Sequence, residues 1–363
     1  MALEQDIAAS FDLGGRIQSV RPYGHGLIND TFVVITDTGH RAILQRINRH
    51  VFANPKHIME NLRVLMDHVS HRRSTGQTVA RELQLPGMFM SRAGKDFLID
   101  AQSGFWRALG YIENTRTLET ITDRQAEEVG YALGRFHALV HDLDPARLHQ
   151  TLPGFHDAPN YLARFTQASA QKTPDSAELK YCFAFVEARR DLAQILETAK
   201  RERKLVIRPI HGDTKIDNFL FDITTGQAVS LIDLDTVQPG LIHFDIGDCL
   251  RSCANLAGES PADIGAVRFD LDICRAILQH YLAETRSFLT QLDYEYLYDA
   301  IRLIPFELGL RFLTDHLEGN HYFKTNWPGQ NLHRAMVQFR LTASIEARAK
   351  GIKTIIADRM PVP

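Results

Sequence analysis

The segment HGDTKIDN at residues 211–218 places an acid, an amine and an amide close together: Asp213 follows His211 by two positions and precedes Asn218 by five, with Lys215 between. These residue types suit the transfer of a phosphoryl group. A carboxylate accepts the proton of an attacking hydroxyl, while an amide oxygen a short loop away holds a metal ion against nucleotide phosphates. Lys215 brings an ammonium to oxygens on which charge must be stabilised during transfer. A further acid, Asp233, follows the run AVSLI, so its carboxylate is expected at a strand end, where a second metal ligand would sit. The hard ion Mg2+ fits a set of carboxylate, amide oxygen, phosphate and water. Asp235 is expected to point the same way two residues along that strand, either as an added metal ligand or as a hydrogen-bond partner. Singly, each acid is better explained as a turn or cap residue. The ordered set of acid, amide and acid carries the expectation.

Such a loop needs elements to hold it. From Arg16 to Asn48 the segments RIQSVRPYG, NDTFVVIT and HRAILQRIN alternate as strands do, with the turn Asp37-Thr38-Gly39 joining the last two. Ile58, Leu62, Leu65 and Val69 recur at helical steps between Pro55 and His71. Strand signals return as MFMS and DFLID around Arg92–Lys95, then as FWRALGYI. Beyond Ile112 long helices dominate, opened by a capping-box pair, Thr122 and Gln125. The exception is VIRPIHGDTKIDNFLFDITTGQAVSLIDLD, three short apolar runs broken by the chemical loop and by a turn at Thr224-Thr225-Gly226. This is an α+β layout in two lobes, residues 1–110 with an antiparallel sheet and one helix, and residues 111–363 mainly helical.

Composition narrows the function. A chain of 363 residues at 44% hydrophobic content can bury a core large enough for two lobes around a cleft. With 41 Lys and Arg against 44 Asp and Glu there is no broad basic surface for nucleic acid. The opening MALEQDIAAS lacks a basic region followed by an apolar run, and no stretch reaches the roughly 20 apolar residues of a membrane span; a soluble cytoplasmic protein is expected. The four cysteines, Cys182, Cys249, Cys253 and Cys274, form no CxxC pair and read as reduced core thiols. His137 and His141 have the spacing of a zinc pair, but Ala138 stands where a metalloprotease needs glutamate. The early glycines lie in a meander, which excludes a dinucleotide fingerprint.

HGDTKIDN followed by LIDLDTVQPGLIHFDIGD resembles the aminoglycoside phosphotransferase and choline kinase group of the protein-kinase-like fold, whose catalytic loop reads His-x-Asp, four residues, Asn. PYGHGLINDTF, RAILQRIN, HGDTKIDNFLFDITTGQAVSLIDLDTVQPG and GLRFLTDHLEGNHYF are similar to N-acetylhexosamine 1-kinases, over nearly the whole chain. The resemblance implies an ATP- and Mg2+-dependent kinase that phosphorylates the anomeric hydroxyl of N-acetylglucosamine or N-acetylgalactosamine. It makes Asp213 the base, Asn218 and Asp233 metal ligands and Asp245 a support for the loop. Gly24 and Gly26 would let a hairpin approach the phosphates, Asn29 would lie beside the nucleotide, and adenine would lie near Tyr111 and Ile112 at the join between lobes. One departure stands out: Gln45 occupies the place of the strand lysine of related kinases and brings no charge. Either Arg46 turns inward, or metal and Lys215 neutralise the phosphates.

At the substrate end, Glu307, Arg311 and Asp315 lie four apart on one face of a helical stretch. Spacing alone describes a solvated ion-pair ladder. The resemblance instead makes Arg311 a ligand of the sugar, with Asp315 and Tyr322 as candidates beside it. A kinase for another small alcohol, such as an aminoglycoside, choline, homoserine or a different sugar, and a nucleotide-binding pseudokinase are the competing readings.

Overall fold

The protein is described by a computed structural model covering residues 2–24, 28–75 and 81–360. Its first lobe is a twisted antiparallel sheet. Strands β1 (Ile17–Pro22), β2 (Asp30–Thr36) and β3 (Arg41–Ile47) form the expected meander, preceded by a helix α1 (Ala2–Ala9) that the sequence pattern did not announce. After α2 (Pro55–Ser74) come β4 (Met88–Phe89), β5 (Leu98–Ile99) and β6 (Phe105–Gly110). The sheet order is β1-β2-β3-β6-β4, with β5 also on β6. Strands β4 and β5 flank the turn at Arg92–Lys95 but do not pair with each other: Met88 faces Leu109 and Leu98 faces Trp106, so both lie along β6. Alternation puts Val20, Val34, Ala42, Leu44, Trp106 and Ala108 on one face, where Ile7, Ala8, Phe11 and Leu13 cover them.

The second lobe opens with β7 (Thr115–Arg116) and α3 (Asp123–Val140). The Thr122 hydroxyl accepts from the Gln125 N–H and the Gln125 side chain accepts from the Thr122 N–H, so the capping box forms as the sequence predicts. Helices α4 (Ala158–Ser169), α5 (Ala177–Glu187) and α6 (Ile195–Arg201) lead to four short strands: β8 (Arg208–Ile210), β9 (Phe219–Asp222), β10 (Ala228–Leu231) and β11 (Gln238–Gly240). β8 pairs with β11, while β9 lies between β10 and β7. Helices α7 (Ile242–Cys253), α8 (Leu271–Thr285), α9 (Gln291–Glu295), α10 (Leu297–Glu318), α11 (Gln330–Ala347) and α12 (Ala349–Ala357) complete the chain. The result is the two-lobe α+β architecture.

The lobes do not have wholly separate cores. Ile58, Leu62, Leu65 and Val69 of α2 belong to the same apolar cluster as Val129, Leu133 and Phe136 of α3, so the helix of the first lobe is seated on the second. All four cysteines are free and buried, and among the described residues no helix is long and apolar enough to cross a membrane.

Helices α3 and α8 approach so closely that a Cβ on Gly130 would lie 2.2 Å from the Ile277 carbonyl oxygen. Gly130→Ala is therefore expected to lower stability by about 1–3 kcal/mol through overpacking, despite alanine's better helix propensity. Gly87→Ala, where a Cβ meets nothing within 4 Å, should stay within about 0.5 kcal/mol of the parent. Urea midpoints of the two variants give the comparison.

Candidate active site

The loop 211–218 leaves β8 and is pinned by one buried carboxylate. Asp245, in the first turn of α7, accepts from the His211 N–H at 2.7 Å and the Gly212 N–H at 2.7 Å, while its own carbonyl accepts the Thr214 hydroxyl at 2.5 Å. Behind it, His137 Nε2 lies 2.8 Å from Asp245 Oδ2 and His137 Nδ1 lies 2.8 Å from the Tyr281 hydroxyl. Burial works to raise the Asp245 pKa, but the contact with His137 and the loop N–H groups outweighs it and holds the group below its ordinary value. His137 is thus a satisfied core histidine. Gly212 sits at φ +85°, and a Cβ there would lie 2.8 Å from the Thr236 carbonyl oxygen, so the loop requires glycine at this step.

With the backbone fixed, the side chains converge. Lys215 Nζ donates to Asp213 Oδ2 at 2.6 Å, and Asn218 Nδ2 donates to the same oxygen at 3.0 Å and to the Asp213 carbonyl at 2.7 Å. Burial pushes the Asp213 carboxyl up, yet Lys215 more than compensates, so the acid is held ionised. Both donors use Oδ2, and Oδ1 has no hydrogen-bond partner among the described residues.

Asp233 follows β10 in the left-handed region at φ 64°, ψ 57°, a conformation that costs a non-glycine residue of order 1 kcal/mol or more. That turn ends the strand, so Asp235 is not two positions further along β10 but in a buried 3₁₀ turn, Leu234–Thr236. Burial first, and then the neighbouring Asp235 carboxylate, push the Asp233 pKa up to about 7. Crowded acids of this kind, beside an amide whose Asn218 nitrogen is already engaged and whose oxygen is the remaining donor, are a set suited to a hard divalent cation.

The first lobe meets this cluster through Arg107 on β6, which no spacing in the sequence singled out. Its guanidinium is 1% exposed and pairs with Asp235 Oδ1. Arg107 Nε and Nη2 also donate to Gln45 Oε1 at 3.0 and 2.7 Å across the β3–β6 ladder, and Gln45 Nε2 donates to the Thr31 hydroxyl at 3.1 Å. Asn29 Nδ2 donates to Asp235 Oδ2 at 2.8 Å, and Asn29 Oδ1 accepts the Asn48 N–H at 3.0 Å. Arg46, the alternative bearer of charge, is itself exposed and lies over the Trp106 ring at 5.9 Å, on the face of β3 opposite to that of Gln45. Gly24 lies at φ +72°; Gly26 lies outside the described residues. Tyr111 and Ile112 follow β6 directly, with Arg41 over the Tyr111 ring at 4.2 Å and Tyr23 edge-on to it at 5.9 Å.

At the far side, the ladder drawn from spacing does not form. Glu307 is buried and pairs with His156 Nδ1 at 3.0 Å, and burial, which lowers the His156 pKa, is overcome by that carboxylate so that the net shift is upward. His156 Nε2 lies 3.4 Å from the Gly212 carbonyl, which ties this pair to the catalytic loop. Arg311 forms no ion pair among the described residues, though Glu307 one turn back and the Tyr322 hydroxyl favour its charge; its guanidinium lies 5.4 Å from Phe155, 5.3 Å from Tyr161, 5.9 Å from Tyr322 and 5.4 Å from Phe323 ring centres. Asp315 is spent on the loop after α10, accepting the N–H groups of His321 (2.9 Å), Tyr322 (2.8 Å) and Phe323 (3.0 Å) and the Asn331 amide (2.9 Å). It therefore shapes the loop that carries Tyr322. Spacing placed these residues on one face of α10, but α10 is covered on nearly all sides, and i,i+4 spacing cannot reveal what covers a face.

The profile of the phosphotransferase enzyme family (APH) matches residues 19–277. Among solved structures, an aminoglycoside phosphotransferase from Alicyclobacillus acidocaldarius is similar at a TM-score of 0.65 and 16% identity, covering 96% of each chain. An ethanolamine kinase from Plasmodium vivax is similar at 0.56 and 13% identity, covering 93% of this chain and 83% of that one. An amicoumacin kinase in complex with AMP-PNP, Ca2+ and Ami is similar at 0.58 and 16% identity, covering 99% of this chain and 94% of that one. At such identities the likeness is one of fold, and it is the protein-kinase-like fold.

Asp245→Asn should loosen the loop, because an amide cannot accept from both loop N–H groups and His137 as the carboxylate does. A loss of about 1–3 kcal/mol at neutral pH is expected. The folded carboxyl titrates below the ordinary 3.8, so its stabilisation is present above that pH and is lost as pH falls through the depressed folded value. Urea midpoints measured against pH should therefore fall more steeply on the acid side in the parent than in Asp245→Asn.

Proposed function

This chain belongs to the phosphotransferase enzyme family, and from that premise we propose that it is a small-molecule kinase that transfers the γ-phosphoryl group of ATP to the anomeric hydroxyl of an N-acetylhexosamine. The observation that carries the choice of acceptor is Arg311: a guanidinium in an aromatic box that forms no ion pair among the described residues, Glu307 one turn back being paired with His156. Such a group repels a cationic acceptor and offers donors to hydroxyl and carbonyl oxygens. This disfavours aminoglycosides and choline and favours a neutral sugar bearing an acetamido carbonyl. The resemblance of GLRFLTDHLEGNHYF to the sugar 1-kinases supports the same reading.

In this proposal Asp213 takes the proton of the sugar hydroxyl at Oδ1, the oxygen that Lys215 and Asn218 leave open. Lys215 holds Asp213 ionised and lends its charge to the transferring group. Asn218 and Asp233, with Asp235 beside them, would hold Mg2+, which when bound neutralises the phosphates. The Glu307–His156 pair steadies the loop against the acceptor side through the Gly212 carbonyl. The nucleotide lies toward residues 1–110, with adenine by Tyr111 and Ile112, and the acceptor in the lobe formed by residues 111–363.

Incubation with Mg-ATP and a panel of sugars, followed by phosphorus NMR, tests the reading: a sugar 1-phosphate is expected from N-acetylglucosamine or N-acetylgalactosamine, and phosphorylation of aminoglycosides or choline alone would refute it. Asp213→Asn is expected to lose about 10²- to 10⁴-fold in kcat with little change in substrate affinity; turnover near that of the parent would remove Asp213 from the role of base. Arg311→Ala should reduce kcat/KM for the sugar by about ten- to a hundredfold, the value of a charge-assisted bond, while leaving ATP affinity intact. Steady-state kinetics and nucleotide titration of the same variant separate those two effects.

A further inference from the structure

A kinase of this fold needs a cation at the nucleotide phosphates on the sheet side, and β3 offers Gln45 there in place of a lysine. Arg107 stands directly opposite Gln45 in the β3–β6 register. Gln45 turns its carbonyl oxygen toward Arg107, accepting from both Nε and Nη2. A lysine at position 45 would instead set a second cation against that guanidinium. The two residues thus form an exchanged pair, in which the charge has moved one strand over and a neutral amide orients it.

Asp235 takes a further N–H of the fork. Arg107 Nη1 remains buried with no hydrogen-bond partner among the described residues, and burying a charged donor unpaired is costly unless a ligand completes it. Asn29, just before β2, donates to the other oxygen of Asp235. Arg107 therefore lies in one network with Asn29 and with the acid two residues beyond Asp233. Nucleotide phosphates must reach that place if the proposed reaction occurs, and the inference rests on that reading.

We propose that Arg107 is the phosphate-binding cation of the first lobe, taking over from the absent strand lysine, with Gln45 and Asp235 as the residues that aim it. The alternative is that Arg107 serves only to tie the sheet to the second lobe.

Calorimetric titration of the full chain with adenosine, AMP, ADP and ATP, in EDTA and again with Mg2+, decides between these. The parent should bind ATP more tightly than adenosine. In Arg107→Gln the affinity for ATP should fall by about ten- to a hundredfold while adenosine stays within about twofold. The retained adenosine binding shows that the site is folded. An unchanged ratio of ATP to adenosine affinity would overturn the inference and leave a purely structural bridge. Should Arg107→Gln not fold, the ratio is read on Arg107→Met, which fills a similar volume without a charge; an unchanged ratio there overturns it equally, and a fall supports it. A parent protein that binds no ATP at all would refute the kinase reading itself, a result distinct from binding that Arg107 does not influence.

Discussion

Two N–H groups of one loop converge on a single buried carboxylate, and the position of each reacting group follows from it. Asp245 fixes His211 and Gly212; that fixes where Asp213 leaves the backbone, and Asp213 in turn gathers Lys215 and Asn218. The arrangement is rigid because it is dry: Asp245 and His211 are fully buried, so water cannot substitute for either partner. A loop held this way can expose a charged carboxylate at its tip while its root behaves as core.

The second lobe thus carries a concentration of negative charge, Asp213, Asp233 and Asp235, that it does not balance alone. Lys215 answers one part and Arg107, arriving from the first lobe, another. Asp233, pushed up to about 7 by burial and by Asp235, is the part left unbalanced. Buried ion pairs contribute little net stability once desolvation is counted, so this cluster is not a source of stability for the fold.

The parts of this site that were legible in the sequence are those whose geometry is local. Asp213, Lys215 and Asn218 share one short loop, and their spacing alone brings them together. The capping box at Thr122 and the meander of β1, β2 and β3 were legible for the same reason, since their periodicities are properties of short windows. Arg107 was not, because its meeting with Gln45 is set by cross-strand register and its meeting with Asp235 by the docking of lobes. Asp235 was placed on a strand because nothing in LIDLD announces that Asp233 turns left-handed. The face of Glu307, Arg311 and Asp315 had the spacing of a solvated ladder, but its surroundings, His156, four aromatic rings and a backbone loop, come from elsewhere in the chain.

The loop that Asp315 organises has a consequence for how such a protein can change over time. Residues 321–323 hang on one carboxylate at the end of α10, beyond residue 277 where the family match ends. Asp213, Lys215, Asp233 and Asp235 all lie before that point. On the proposed assignment, acceptor preference and phosphoryl chemistry are therefore written in largely separate stretches of the gene. On that assignment, exchanges after α10 would alter the surroundings of the acceptor while the loop 211–218 and its hold on Asp245 stay as they are.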